Sequence, residues 1–218
     1  MAKAQQAEQR TGHVEVTIPP PNFQTACLLI EGTSPYVQNK FSQKARNTIK
    51  ETQAAGSTAR GKKKREPKDF DAVYKGALYC STDGWYGMPA PAFRNAAVSA
   101  CRLVNFKMTL AKLSIFVEAD GFDADDGTPL IRITKGEPVY HETYVRNATG
   151  VVDLRARPMW REGWRAKLRV RYDRDQFTEA DVANLVMRIG QQVGIGEGRP
   201  DSKNSCGMGW GLFQIVNE

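Results

Sequence analysis

The sequence predicts an α+β fold on a ferredoxin-like βαββαβ plan, interrupted by long insertions. Three observations predict it. Strand patterns lie at residues 25–30 and 165–171, helix patterns lie at 90–104 and after Thr178, and the elements run strand, long insertion, helix, strands, helix, strand. The 218 residues suit one domain with sizeable insertions, and an apolar content of 41% suffices for its core.

Residues 25–30, Thr-Ala-Cys-Leu-Leu-Ile, form a continuous apolar run between Pro19-Pro20-Pro21 and Gly32-Thr33-Ser34-Pro35. This reads as a central strand buried on both faces. Residues 41–52 read as a polar helix. Residues 54–67 lose all apolar content but alanine, gain Gly, Ser and Lys, and read as a mobile inserted loop. Residues 77–80 read as a second strand. Pro91 suits a first helical turn, and Phe93, Ala96, Ala97, Ala100, Cys101 and Val104 recur at helical spacing. Residues 113–118 read as a strand, 120–127 as an acidic turn, and 130–134 as the hairpin partner of that strand. Residues 151–158 are extended. Along 165–171 the alternation is clean: Ala166, Leu168 and Val170 face one side, continued by Tyr172, and Arg165, Lys167, Arg169 and Arg171 face the other. A capping box, Thr178 with Asp181, opens the last helix, whose apolar stripe is Leu185, Val186 and Ile189. Residues 190–211 are glycine-rich, and 212–216 close the chain as a strand.

Composition narrows the function classes. No apolar run reaches membrane-spanning length, so the expectation is a soluble protein with no membrane partner. The polar N-terminus lacks an apolar export segment, so residues 1–17 read as a disordered or partner-binding arm and 18–218 as the domain. Cys27, Cys80, Cys101 and Cys206 are far apart and form no C-x-x-C pair. They read as reduced cytoplasmic thiols, with Cys27 and Cys101 in the core. The net charge is +7, and residues 60–68 hold six cations (Arg60, Lys62, Lys63, Lys64, Arg65, Lys68) against one acid, Glu66. The basic character is therefore mostly one loop.

Four constellations carry candidate chemistry. The basic loop can follow a phosphate backbone and release counterions; the bland alternative is a solvated loop. The row Arg165, Lys167, Arg169 and Arg171, preceded by Arg155 and Arg157, must be covered by an anion or relieved by nearby acids such as Asp153, Glu162, Asp173 or Asp175. Gly194, Gly196 and Gly198, continued by Gly207, Gly209 and Gly211, allow close approach to phosphate or simply tight turns. They follow a helix, so they are neither a dinucleotide fingerprint nor a Walker loop. The aromatics Tyr36, Trp85, Tyr86, Tyr140, Tyr144, Trp160, Trp164 and Trp210 offer stacking surfaces, two or three of them as ordinary core. The acidic turn around Asp123 fails calcium-loop spacing, with Thr128 at the sixth position where glycine is required. Neither a metal site nor a cofactor is expected. His141-Glu142 is a weak acid–base pair, because neighbours on a strand point to opposite faces.

Two segments resemble the RAMP (repeat-associated mysterious protein) superfamily. Gly87-Met88-Pro89-Ala90-Pro91-Ala92-Phe93-Arg94-Asn95-Ala96 is similar to the segment opening that superfamily's first helix, and residues 194–211 to its C-terminal glycine-rich loop. Pro91 and Ala92 replace the usual small hydroxyl residues, and residues 201–206 stretch the loop. The order of parts looks most like the repeated backbone subunits of CRISPR effector complexes, and a viral relative would show the same pattern. Residues 139–146, 149–151 and 163–172 resemble the thumb and return strand of those subunits. The resemblance implies a ferredoxin-like (RNA-recognition-motif-like) core with a long basic insertion at about 32–76 and a thumb-like one at about 119–150. It implies Arg94 and Asn95 near phosphate, a phosphate-facing loop of Gly194, Gly196, Gly198 and Arg199, and Tyr144 and Arg146 on the thumb. Some relatives cleave RNA with an aspartate after the first strand; here Glu31-Gly32-Thr33-Ser34-Pro35 holds none.

The expectation is a non-catalytic protein binding single-stranded RNA or DNA, assembling head to tail as a homo-oligomer or multi-subunit ribonucleoprotein. Its candidate contacts are Lys62, Lys63, Lys64, Arg65, Lys68, Arg94, Asn95, Tyr144, Arg146, Arg155, Arg157, Arg165, Arg169, Arg171, Gly194, Gly196, Gly198, Arg199 and Lys203. The alternatives are an RNA-processing endonuclease using Glu31, Asp69, Asp71 or His141, and an assembly protein whose basic loop meets an acidic partner subunit.

Overall fold

The computed structural model describes residues 17–41, 43–54, 68–146, 152–202 and 208–217. Of the loop predicted over 54–67, Ala54 ends α1 and 55–67 lie outside them, as do the arm before residue 17 and Cys206. Ten strands and five α-helices are formed by these residues: β1 Phe23–Gly32, β2 Tyr36–Val37, α1 Gln43–Ala54, α2 Phe70–Gly76, β3 Gly87–Pro89, α3 Ala90–Ala100, α4 Met108–Ser114, β4 Ile115–Glu118, β5 Gly121–Phe122, β6 Pro129–Lys135, β7 Val139–Arg146, β8 Val152–Trp160, β9 Arg165–Asp173, α5 Glu179–Arg188 and β10 Phe213–Val216.

The fold is α+β, built on antiparallel sheets. In the larger sheet the order is β10-β1-β9-β6-β3, with β4 also on β9 and β5 on β6. β9 is its axis. One edge pairs with β1 from Phe23↔Asp173 to Glu31↔Arg165. The other edge takes β4 at Ile115↔Tyr172 and, further along, β6 at Ile133↔Ala166. The alternation of β9 is realised: Ala166, Leu168, Val170 and Tyr172 are buried under the helices. α3 contributes Phe93, Ala96, Ala97 and Ala100 to this core, and α5 contributes Val182, Leu185 and Val186. The Thr178–Asp181 capping box forms in both directions, and the hydrogen bonds that Thr178 donates to the Asp181 carboxyl hold it below the usual range.

Several expectations are corrected. β1 is covered on one face only, so Cys27 is exposed while Cys101 is buried. The helix expected over 90–104 stops at Ala100, continues as one 3-10 turn, and ends at Asn105 with φ 55°. Residues 77–80 are not a strand; they contribute one bridge, Cys80↔Tyr86, after the unforeseen helix α2. The strand 115–118 does not form a hairpin with 129–135, because both lie along the same edge of β9, which is long enough for two short strands. Among the described residues no helix is long and apolar enough to cross a membrane.

A second sheet, β2-β8-β7, joins the first through aromatic packing. Tyr36 on β2 packs between Trp160 of β8 and Trp164, the residue just before β9, at ring separations of 5.6 and 5.8 Å. All three rings are buried, and burial pushes the Tyr36 hydroxyl pKa up. Gln38 ties the same junction by donating to the Gly87 carbonyl at 2.5 Å and accepting from the Tyr79 N–H at 3.0 Å.

The acidic turn is a structural lock. Lys40, 5% exposed, donates to Asp123, 2% exposed, at 2.5 Å, and to Asp125 at 2.7 Å. Asp123 also accepts from the Cys80 N–H at 3.1 Å. Arg46 of α1 pairs with Asp126. Burial alone would lower the Lys40 pKa, but its two carboxylates outweigh it and raise the value. Burial alone would raise Asp126, but hydrogen bonds from Thr128 and the Arg46 guanidinium hold it down to about 2.

Removing one partner strands a buried charge, so K40A or D123A should lose about 3–5 kcal/mol in urea unfolding. The depressed Asp126 stabilises the fold above the ordinary carboxylate range and loses that contribution as pH falls through the folded value. The raised Lys40 contributes below its ordinary value and loses that contribution only as pH rises through the higher folded one. D126N should therefore flatten the fall of stability between about pH 4 and pH 2, read from urea midpoints against pH.

Candidate nucleic-acid interface

The second sheet and the glycine-rich loop meet at one place. Side chains directly opposite each other on paired strands share a face. The register His141↔Arg157 and Thr143↔Arg155 therefore sets Arg155 and Arg157 of β8 beside His141 and Thr143 of β7. The loop after α5 reaches the same face. Arg155 donates to one oxygen of Glu197 at 3.0 Å, and Arg157 donates to the other at 2.7 Å.

The loop adopts this path because glycine stands at its turns. Gly196 has φ 79°, and an added Cβ there would lie 2.5 Å from the Val37 carbonyl oxygen. Gly198 has φ 77°, and its Cβ would lie 2.5 Å from the Trp210 ring. Only glycine accepts both the left-handed backbone and the contact. Gly194, also at positive φ, is buried at the end of the turn following α5. Arg199 folds back to donate to the Gly196 carbonyl at 3.0 Å. Trp210 covers Gly198 and meets His141 edge to face at 5.6 Å.

The structure thus brings together Arg155, Arg157, Gly194, Gly196, Gly198 and Arg199. Lys68, last of the basic run, docks beside them. It donates to Asp153 at 2.6 Å and to the Leu154 carbonyl at 2.8 Å, and its hydrogen bond holds the Asp153 carboxyl below its usual range. Tyr144 stands on β7 at 74% exposure, a surface open to stacking. Arg146 ends β7 opposite Val152, and its side chain lies outside the description. Lys62, Lys63, Lys64, Arg65 and Lys203 lie outside the described residues.

Other predicted residues sit elsewhere. Arg165, Lys167, Arg169 and Arg171 line the open face of the larger sheet. Arg165 pairs with Glu31 at 2.5 Å, and Arg169 pairs with Asp120 at 2.6 Å and with Glu118 at 3.5 Å. Arg171 lies over the rings of Phe23 and Phe116 at 5.2 and 5.0 Å. The acids that relieve the row are thus Glu31, Glu118 and Asp120, brought by neighbouring segments. Arg94 donates to the carbonyls of Ile115 and Lys112, tying α3 to α4 and β4; Asn95 is exposed on α3. Of the aromatics, Tyr36, Trp160 and Trp164 are core.

The residues an endonuclease would need are dispersed. Glu31 ends β1, Asp69 caps α2 by accepting from the Ala72 N–H, Asp71 lies on α2, and His141 packs on Trp210. Among the described residues no group of three or more His, Cys, Asp or Glu is placed to hold a metal ion. Sequence reasoning missed Glu197. Its only local signal was a charge set between two glycines.

These features define an α+β chain whose clasp of arginines, glycines and aromatics lies between a hairpin sheet and a loop. No family model matches the chain, and no curated protein matches it. Among solved structures it resembles a chain of the Type III-B Cmr-beta complex bound to cognate target RNA, with a TM-score of 0.51 and 7% identity. The match covers 90% of this chain and 60% of that one. At this identity the likeness is one of fold.

Gly198→Ala should cost about 1–3 kcal/mol through its left-handed backbone alone. It should also displace Trp210, read as a lower thermal midpoint with a red-shifted tryptophan emission.

Proposed function

We propose that this chain binds single-stranded nucleic acid, RNA by preference, without cleaving it. The convergence of Arg155, Arg157, Arg199, the glycine loop and the His141–Trp210 pair on one face carries the reading. Such a face joins phosphate-seeking guanidiniums to a stacking surface, the combination that holds single strands. Lys68, the last cation of the basic run in sequence, is fixed at the same edge by its bond to Asp153.

The fold supports a closer reading. The order β10-β1-β9-β4, with β6 sharing the β4 edge of β9 and α3 and α5 as connecting helices, is compatible with a βαββαβ ferredoxin-like core. In that reading the β7–β8 hairpin is the thumb. The resemblance to the RAMP superfamily and the fold neighbour in an RNA-bound assembly support a cytoplasmic subunit of a multi-subunit ribonucleoprotein, stacked head to tail on its strand. The reading requires no cofactor.

Titration of labelled single-stranded RNA and of duplex DNA at several salt concentrations tests this. Tighter binding of the single strand, falling with salt, is expected; no binding at low salt, or affinity indifferent to salt, would overturn it. Deleting residues 60–67 should weaken binding by about tenfold or more near 0.1 M salt and make the salt dependence shallower. R155A should weaken binding, and neither it nor the wild type should cut RNA on a denaturing gel.

A further inference from the structure

We propose that Glu197 is a positioning residue that sets Arg155 and Arg157 side by side as a clasp for one phosphodiester of a bound strand. The inference rests on the nucleic-acid-binding reading. Arg155 and Arg157 are two apart on β8, so both point to one face and repel each other. Glu197 relieves that repulsion with one oxygen for each guanidinium, at 3.0 and 2.7 Å. The carboxylate is itself fixed. The Glu197 N–H donates to the Val37 carbonyl at 2.9 Å, and glycines with φ 79° and 77° stand on either side. Its side chain is 13% exposed, so it is no freely moving surface acid.

The two arginines have different duties. Arg157 also donates to the Ala156 carbonyl at 3.0 Å, and its side chain is 10% exposed. It anchors the pair. The Arg155 side chain is 31% exposed and lies 3.8 Å from Asp153, leaving donors that face solvent. It meets the strand. The groups paired with one another, Lys68, Arg155 and Arg157 against Asp153 and Glu197, carry an excess of one positive charge, and Arg199 on the same loop adds another. Such an excess favours a phosphodiester.

The sign of one mutation separates this role from simple repulsion. An acid beside a polyanion site opposes binding, so its removal should strengthen binding unless it positions the binding groups. The experiment measures single-stranded RNA affinity for wild type, E197A, E197Q, R155A and R155A/E197A over a range of salt, with circular dichroism and melting to check folding. E197A should bind about tenfold more weakly, with a log–log salt slope shallower by roughly 0.7 for the lost phosphate contact. E197Q keeps the shape and one acceptor, so its affinity should fall between wild type and E197A. In the R155A background, E197A should cost no more than about twofold, because its partner is already gone. Binding by E197A or E197Q as tight as wild type or tighter would overturn the proposal, as would an undiminished loss in the R155A background. If E197A fails to fold, E197Q and the R155A/E197Q pair give the same comparison. Wild type that binds no RNA sinks the functional reading with this one; wild type that binds while the Glu197 variants bind equally well sinks this one alone.

Discussion

β9 pairs along both edges, and the rest of the molecule is arranged around that constraint. Its side chains alternate strictly between cations and apolar residues. A slip of one position against β1 would drive Arg165, Lys167, Arg169 and Arg171 into the core and expose Leu168 and Val170. The register is therefore strongly specified. With it come the position of β1, the placement of β4 and β6 on the opposite edge, and the helical layer that closes over Ala166, Leu168 and Val170. Just before β9 stands Trp164, which packs on Tyr36 and links the second sheet to the first.

Charge is handled differently on the two sheets. On the larger one, Arg165 and Arg169 of β9 lie against acids and Arg171 lies over aromatic rings from neighbouring strands or turns. On the smaller one, two arginines share one carboxylate and keep an excess positive charge beside a loop that only glycine can trace. A cation row is therefore no guide to binding until its partners are known. The same holds for acids: the acidic turn around Asp123 is answered by a cation of the chain itself, Lys40, from a segment far upstream.

Much of the fold was legible because its signals are local. Periodicity placed β9, α3 and α5, and the Thr178–Asp181 spacing gave the start of α5. The misreadings share a cause. Cys27 lies in an apolar run that reads as a doubly buried strand, yet helices cover only one side of β1. Residues 113–118 and 130–134 are close enough in sequence to suggest a hairpin, but residues 113 and 114 end α4, and the long edge of β9 took both 115–118 and β6. α2 and α4 have seven residues each, too few for a helical stripe to stand out.

The sequence by itself determined which residues are cationic, which face of each strand is apolar, and where glycine breaks the chain, because each depends on residue type and short-range spacing. It could also mark Arg155, Arg157 and the glycine loop as separate candidates. Only the tertiary structure decided that they come together on one face while Arg165, Arg169 and Arg171 belong to another surface. The reason is that a charge is defined by what neutralises it. Glu197 lies some forty residues beyond Arg155 in the chain, and the aromatic junction of Tyr36, Trp160 and Trp164 brings the two within hydrogen-bond reach.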